Sequence, residues 1–181
     1  MGKQIRRILL MGGAGCGKST TASFVKAEMS YRGYDIEFID EQIKDWTYYG
    51  RIPQSCDSFV LQGRQMEKED IRLRSGVSFT VSDSPLFLQY FYAWYHKVPM
   101  QKPMLLASQE FDKMYEPLYI FVERHDDFYN EVGRYEKLEE AKKIDELIKQ
   151  TMKDCSIPFV CMSCLEQNEI AKYIESEILA R

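Results

Sequence analysis

No apolar run in this sequence approaches membrane-spanning length. Its N-terminus passes from Lys3, Arg6 and Arg7 into only four strongly apolar residues, Ile8 to Met11, before a glycine loop, so a secretory core is missing as well. Met1-Gly2 opens like a myristoylation signal, but Arg6 stands where that signal needs serine or threonine, and no membrane partner is expected. Positive charge is in deficit: 24 Lys and Arg against 28 Asp and Glu leave a net charge of −4, which excludes a global basic field and leaves only a local groove for a long polyanion. Cysteine is sparse and odd in number, five residues without framework spacing, which excludes a disulfide-stapled module and points to a reducing compartment, the cytoplasm. Cys161 and Cys164 form a C-x-x-C with Cys155 nearby, yet no fourth thiolate or adjacent histidine completes a tetrahedral zinc site. Ten glycines and six prolines in 181 residues exclude collagen-like and low-complexity chains. At 45% hydrophobic and 29% charged residues the composition is that of an ordinary globule, sized for one α/β domain over 1–181.

What is present alternates. Ile8 to Met11 is a short continuous apolar run ending in glycines, as a strand buried on both faces requires, and residues 18–30 carry Phe24, Val25 and Met29 at helical spacing up to Gly33. Strands are expected at 34–39, ending in Asp40-Glu41, and at 77–81, ending near Asp83; two later ones follow Pro117 (118–122) and Pro158 (159–162). Between these last two, Leu138, Ala141, Ile144, Leu147, Ile148 and Met152 mark one face of a long amphipathic helix, and a final helix spans about 168–179. Strands alternating with helices predict a parallel five-stranded sheet covered on both faces, with functional loops outside the strands' carboxyl ends, where Gly12, Asp40 and Asp83 all fall.

The first of those loops is chemically specific. Gly12-Gly13-Ala14-Gly15-Cys16-Gly17-Lys18-Ser19 satisfies G-x-x-x-x-G-K-[ST] in full, between a strand and a helix. Glycines let successive backbone N–H groups turn inward around an anionic phosphate, the helix adds the positive end of its dipole, and Lys18 reaches the terminal phosphates. Ser19, helped by Thr20, offers hydroxyl oxygen to Mg²⁺, and Asp83 is placed to hold the same ion, or else is a turn residue before Pro85. Cys16 reads as a small residue without a redox role. Asp40 or Glu41 is positioned to take a proton from an acceptor hydroxyl.

Residues 124–136 have little apolar content to fix them and read as a mobile lid. Arg134, beside Gly133, and after it Arg124, are the candidates to stabilise charge developing during phosphoryl transfer, against the plainer reading of arginines on a solvated face. Between the second and third strands, Trp46, Tyr48, Tyr49 and Phe59 offer stacking surfaces, and Gln62, Arg64 and Gln65 amide or cationic groups for an acceptor. The dense aromatics of 86–96 read chiefly as core. Arg64, Arg72 and Arg74 either bind an anionic acceptor or pair with Glu67, Glu69 and Asp70 at helical spacing.

Phosphate loop, Ser82-Asp83-Ser84-Pro85 strand end and Gly133-Arg134 lid together resemble small P-loop kinases of the nicotinamide-riboside-kinase-like and phage nucleotide-kinase group. The stretch from Tyr129 to Asp145, with Gly133-Arg134-Tyr135-Glu136 and Glu139-Glu140-Ala141, is similar to lid-and-helix segments of phage kinases, some of which phosphorylate 5-hydroxymethyluracil in DNA. The resemblance implies a three-layer P-loop NTPase fold, ATP and Mg²⁺ as cofactors, a nucleoside, nucleotide or hydroxymethylated-base acceptor, and adenine near 163–168. A kinase acting on DNA would need Lys3, Arg6, Arg7 and Arg64 to Arg74 in one basic groove. A nucleotide-hydrolysing switch would instead release phosphate without any acceptor.

Overall fold

The computed structural model describes residues 4–41, 50, 54–129 and 137–180. In chain order these form β1 (Ile5–Met11), α1 (Lys18–Tyr31), β2 (Ile36–Ile39), α2 (Asp57–Arg74), β3 (Phe79–Ser82), α3 (Leu86–Tyr95), α4 (Gln101–Met114), β4 (Glu116–Glu123), α5 (Leu138–Asp154), β5 (Val160–Ser163) and α6 (Gln167–Leu179). The five strands make one parallel sheet in the order β2-β3-β1-β4-β5, a P-loop NTPase-like three-layer α/β arrangement.

Burial on both faces explains the apolar run in β1. Ile8 and Leu10 pack with Ala22, Val25 and Met29 of α1 and Ile170 and Ile174 of α6. Leu9 and Met11 face the other way, against Phe87 and Phe91 of α3 and Ile144, Ile148 and Met152 of α5. Each such side chain withdrawn from water contributes about 1.5–3 kcal/mol, and a central strand collects that from both layers.

All five expected strands are present, with boundaries moved by helix ends. Tyr34 does not join β2, because its N–H closes α1 by donating to the Met29 carbonyl at 3.0 Å. Val77 likewise caps α2 through the Arg72 carbonyl at 3.1 Å, so β3 starts at Phe79. On α5 the inward face holds Ala141, Ile144, Ile148 and Met152 but exchanges an expected member: Leu147 is 39% exposed and Asp145 is buried in its stead. α4 was not foreseen; its inward side is Met104, Ser108 and Phe111, at helical spacing but interrupted by a hydroxyl. Among the described residues no helix is long and apolar enough to cross a membrane.

Candidate functional site

Parallel register sets the site. Leu9 of β1 lies opposite Ser82 of β3, so the loop after Met11 and the Asp83 that follows Ser82 emerge side by side at the sheet's carboxyl edge. Gly12, Gly15 and Gly17 take positive φ of 137°, 74° and 95°, which curls the loop into the start of α1. The Gly17 carbonyl accepts the Thr21 N–H at 2.9 Å, the first α1 bond, leaving the helix's earliest N–H groups directed at the loop. Lys18 folds over the first turn, its Nζ donating to the carbonyls of Gly12 and Gly13 at 2.8 and 2.7 Å. Cys16 lies beneath, 1% exposed; burial pushes its thiol pKa up, against the lowering influence of Lys18.

Ser19 and Thr20 are exposed on the first turn of α1, and Asp83 is 6% exposed at the end of β3. Among the described residues no group of three or more His, Cys, Asp or Glu gathers as a metal cage. One hydroxyl and one carboxylate suit Mg²⁺, which is held by few protein oxygens and completes its shell with phosphates and water. The turn around Asp83 is held by a string of polar groups: Ser84 N–H donates to Ser82 Oγ at 3.2 Å, Gln65 Nε2 approaches the same oxygen at 3.5 Å, and Gln89 Nε2 approaches the Ser84 carbonyl at 3.4 Å.

Asp40, at the end of β2, forms an ion pair with Lys68 of α2. Partial burial works against its charge, but the Lys68 bond, a backbone N–H and the charges of Lys68 and Arg72 together outweigh this and hold its carboxyl below the usual carboxylate range. Glu41, the next residue, is half-buried.

Several sequence candidates sit differently from expectation. Gln62 is buried, and its amide is committed to the carbonyls of Leu86 and Met104, at 3.0 Å each, rather than turned to an acceptor. Gln65 is 1% exposed behind β3, while Arg64 is exposed on α2. Of the cations expected in a DNA-binding groove, three engage the protein itself, and Lys3 lies outside the described residues. Arg6 donates to the carbonyls of Ser78 and Val77, both at 2.7 Å, Arg7 is wholly buried, and Arg74 pairs with Asp70 at 2.7 Å. Arg124 is anchored rather than loose: its side chain is 7% exposed, Nε meets Asp145 Oδ2 at 2.5 Å, and Nη1 donates to the Ala14 carbonyl at 3.2 Å. A guanidinium withdrawn from water needs such a partner, and α5 supplies it. Arg134, Trp46, Tyr48 and Tyr49 lie outside the described residues.

Asp145 was missed by the sequence reading. Its Oδ1 accepts the Gly13 N–H at 2.7 Å, a contact spanning 132 residues that no local motif announces. The only signal was an acid among the apolar positions of α5.

A cavity of about 470 Å³ opens beside the loop, lined by Phe24 of α1 and the stretch from Cys164 to Glu169 that joins β5 to α6. It abuts the loop, since a Cβ on Gly17 would lie 3.1 Å from the Cβ of Cys164.

The family described as AAA domain matches residues 7–166. No curated protein matches the chain. Among solved structures, a NadR protein in complex with NR aligns with a TM-score of 0.70 at 12% identity, over 93% of this chain and 51% of its own. A NadR protein in complex with NAD and AMP-PNP aligns with a TM-score of 0.72 at 11% identity, over 96% of this chain and 49% of its own. The chain thus spans about half the length of these proteins. At such identity the likeness is one of fold.

Proposed function

Because the chain belongs to the AAA domain family and carries a complete phosphate loop, we propose that it moves the γ-phosphoryl group of ATP to a hydroxyl or phosphate of a nucleoside-like acceptor. The observation that carries this reading is Lys18 pinned over a glycine loop whose neighbour at the sheet edge is a buried carboxylate, Asp83. In it, loop amides from Gly12 to Thr20 and the Lys18 ammonium bind the phosphates, and the adenine occupies the cavity between Phe24 and the 164–169 stretch. Mg²⁺, held by Ser19 and Asp83, supplies charge neutralisation to the terminal phosphates. Asp40, ionised through Lys68, or Glu41 takes the acceptor proton, and Arg134 meets the developing charge. The NadR proteins support the donor and acceptor classes, one holding NR and the other NAD with AMP-PNP. A free nucleoside or nucleotide is favoured over DNA because Arg6 and Arg7 are consumed internally.

The test is a screen of nucleosides, nucleotides and hydroxymethylated DNA with γ-labelled ATP. Label is expected on a small acceptor, and Lys18→Ala is expected to lower turnover on the order of 100-fold or more, the scale of losing one charge-stabilising donor. Phosphate release equal to total ATP consumption with every acceptor would replace this reading by a hydrolysing switch. Label on the DNA alone would move the acceptor to the polymer.

A further inference from the structure

Asp145 and Arg124 hold the first turn of the phosphate loop from outside it. Asp145 Oδ1 takes the Gly13 N–H at 2.7 Å while Oδ2 takes Arg124 Nε at 2.5 Å. The same guanidinium donates through Nη1 to the Ala14 carbonyl at 3.2 Å and through Nη2 to the Ala141 carbonyl at 3.4 Å. One carboxylate and one guanidinium therefore fix an N–H and a C=O of consecutive loop residues, and tie both to α5 and to the end of β4. Both side chains are nearly buried, at 7% and 9% exposure, where charge-assisted bonds are strong and an unpaired charge is costly. The clamp also accounts for Gly13, whose φ is not positive: a Cβ there would stand 2.7 Å from Asp145 Oδ1 and 3.1 Å from Arg124 Nη2.

We propose that Asp145 and Arg124 are positioning residues for nucleotide binding: the pair sets the shape of the phosphate cradle, and Arg124 cancels a carboxylate that would otherwise repel the polyanion. This rests on the phosphotransferase reading above, in that the cradle receives a triphosphate. The sign of the effect follows from electrostatics. Arg124→Gln leaves the Asp145 charge uncompensated beside the loop, whereas Asp145→Asn removes that charge and keeps a carbonyl oxygen for Gly13. The double variant is then less impaired than Arg124→Gln alone. A clamp that served only the fold would give no such reversal in affinity at equal stability.

The experiment is MgATP binding by calorimetry on wild type, Asp145→Asn, Arg124→Gln and the double variant, with thermal unfolding of each. Expected are a roughly tenfold or greater loss of affinity for Arg124→Gln, a smaller loss for Asp145→Asn, and partial recovery in the double variant, since tenfold is the scale of 1.4 kcal/mol. If Arg124→Gln does not fold, Gly13→Ala, which pushes the carboxylate away without replacing either clamp residue, is expected to weaken MgATP roughly tenfold. Wild-type affinity in folded Arg124→Gln, or in folded Gly13→Ala where that variant stands in, overturns the inference and leaves the phosphotransferase reading intact. No recovery in the double variant overturns the charge-cancelling role. Absence of triphosphate uptake by wild type overturns both.

Discussion

Cys16 puts a nucleophile in the middle of the phosphate loop and then disarms it. At 1% exposure the thiol is shielded, and burial pushes its pKa up, with Lys18 and Arg124 pulling the other way and Asp145 adding to the rise. Limited alkylation of the native protein, followed by mass mapping, is expected to label exposed Cys56 and leave Cys16 unmodified; label on Cys16 at the pace of Cys56 would contradict its burial. The sign for stability follows: below the ordinary thiol pKa neither state ionises Cys16 and its burial costs the fold no charge, and as pH rises from there toward the raised folded value the unfolded chain sheds the proton first, so stability falls. The loop from Gly12 to Ser19 is legible in the sequence because its chemistry is contiguous. Asp145 is illegible for the opposite reason, since its meaning lies in an N–H 132 residues away.

At the scale of elements, α2 shows why polar residues mislead. Gln62, Gln65 and Glu69 share its buried face with Leu61 and Leu73, a spacing visible in the sequence, yet amides near a site read equally well as base-reading groups or as internal fasteners. Structure separates the two: Gln62 ties the Leu86 carbonyl, at the start of α3, to that of Met104 in α4. Gln62→Ala leaves two buried carbonyls short of a donor and is expected to cost about 1–3 kcal/mol. In a protein of this size that is a fall in Tm of roughly 2–4 °C per kcal/mol. ATP affinity and acceptor KM are expected to hold; a raised acceptor KM at unchanged Tm would return Gln62 to the acceptor site. α4 escaped notice because Ser108 interrupts its apolar stripe, so periodicity was too weak to declare it, whereas α5, with Ala141, Ile144, Ile148 and Met152 inward, declared itself.

For the molecule as a whole, the sheet separates chemistry from anchoring. The carboxyl edge gathers the phosphate loop, Asp40 and Asp83, and the alternation of strands with helices made that edge predictable. The opposite part of β1 holds a charge network that composition could not reveal: Arg7, fully buried, meets Asp112 at 2.6 Å and Glu69 at 3.0 Å and stacks on Phe111 at 4.4 Å. Thr80 and Tyr119 hydroxyls donate to Glu69 and Asp112, at 2.7 Å each. Glu69→Ala leaves Arg7 paired with Asp112 but takes the buried acceptor from both Arg7 Nη2 and the Thr80 hydroxyl, so it is expected to lower unfolding free energy by about 1–3 kcal/mol for each donor left unsatisfied, read in urea titration. The network also sets an alkaline limit. Burial, then the Asp112 charge, raise Tyr119 well above the ordinary 10.0, with Arg7 opposing. Below pH 10 neither state ionises this phenol, and its environment costs the fold nothing. Above that point the unfolded chain sheds the proton while the folded one retains it, so stability falls until the folded Tyr119 itself ionises. Tyr119→Phe loses the bond to Asp112 and is expected to be less stable at pH 8, yet to show a shallower decline between pH 10 and 11. Urea midpoints for both proteins across that range decide it: parallel declines would mean that Tyr119 ionises as freely inside as out.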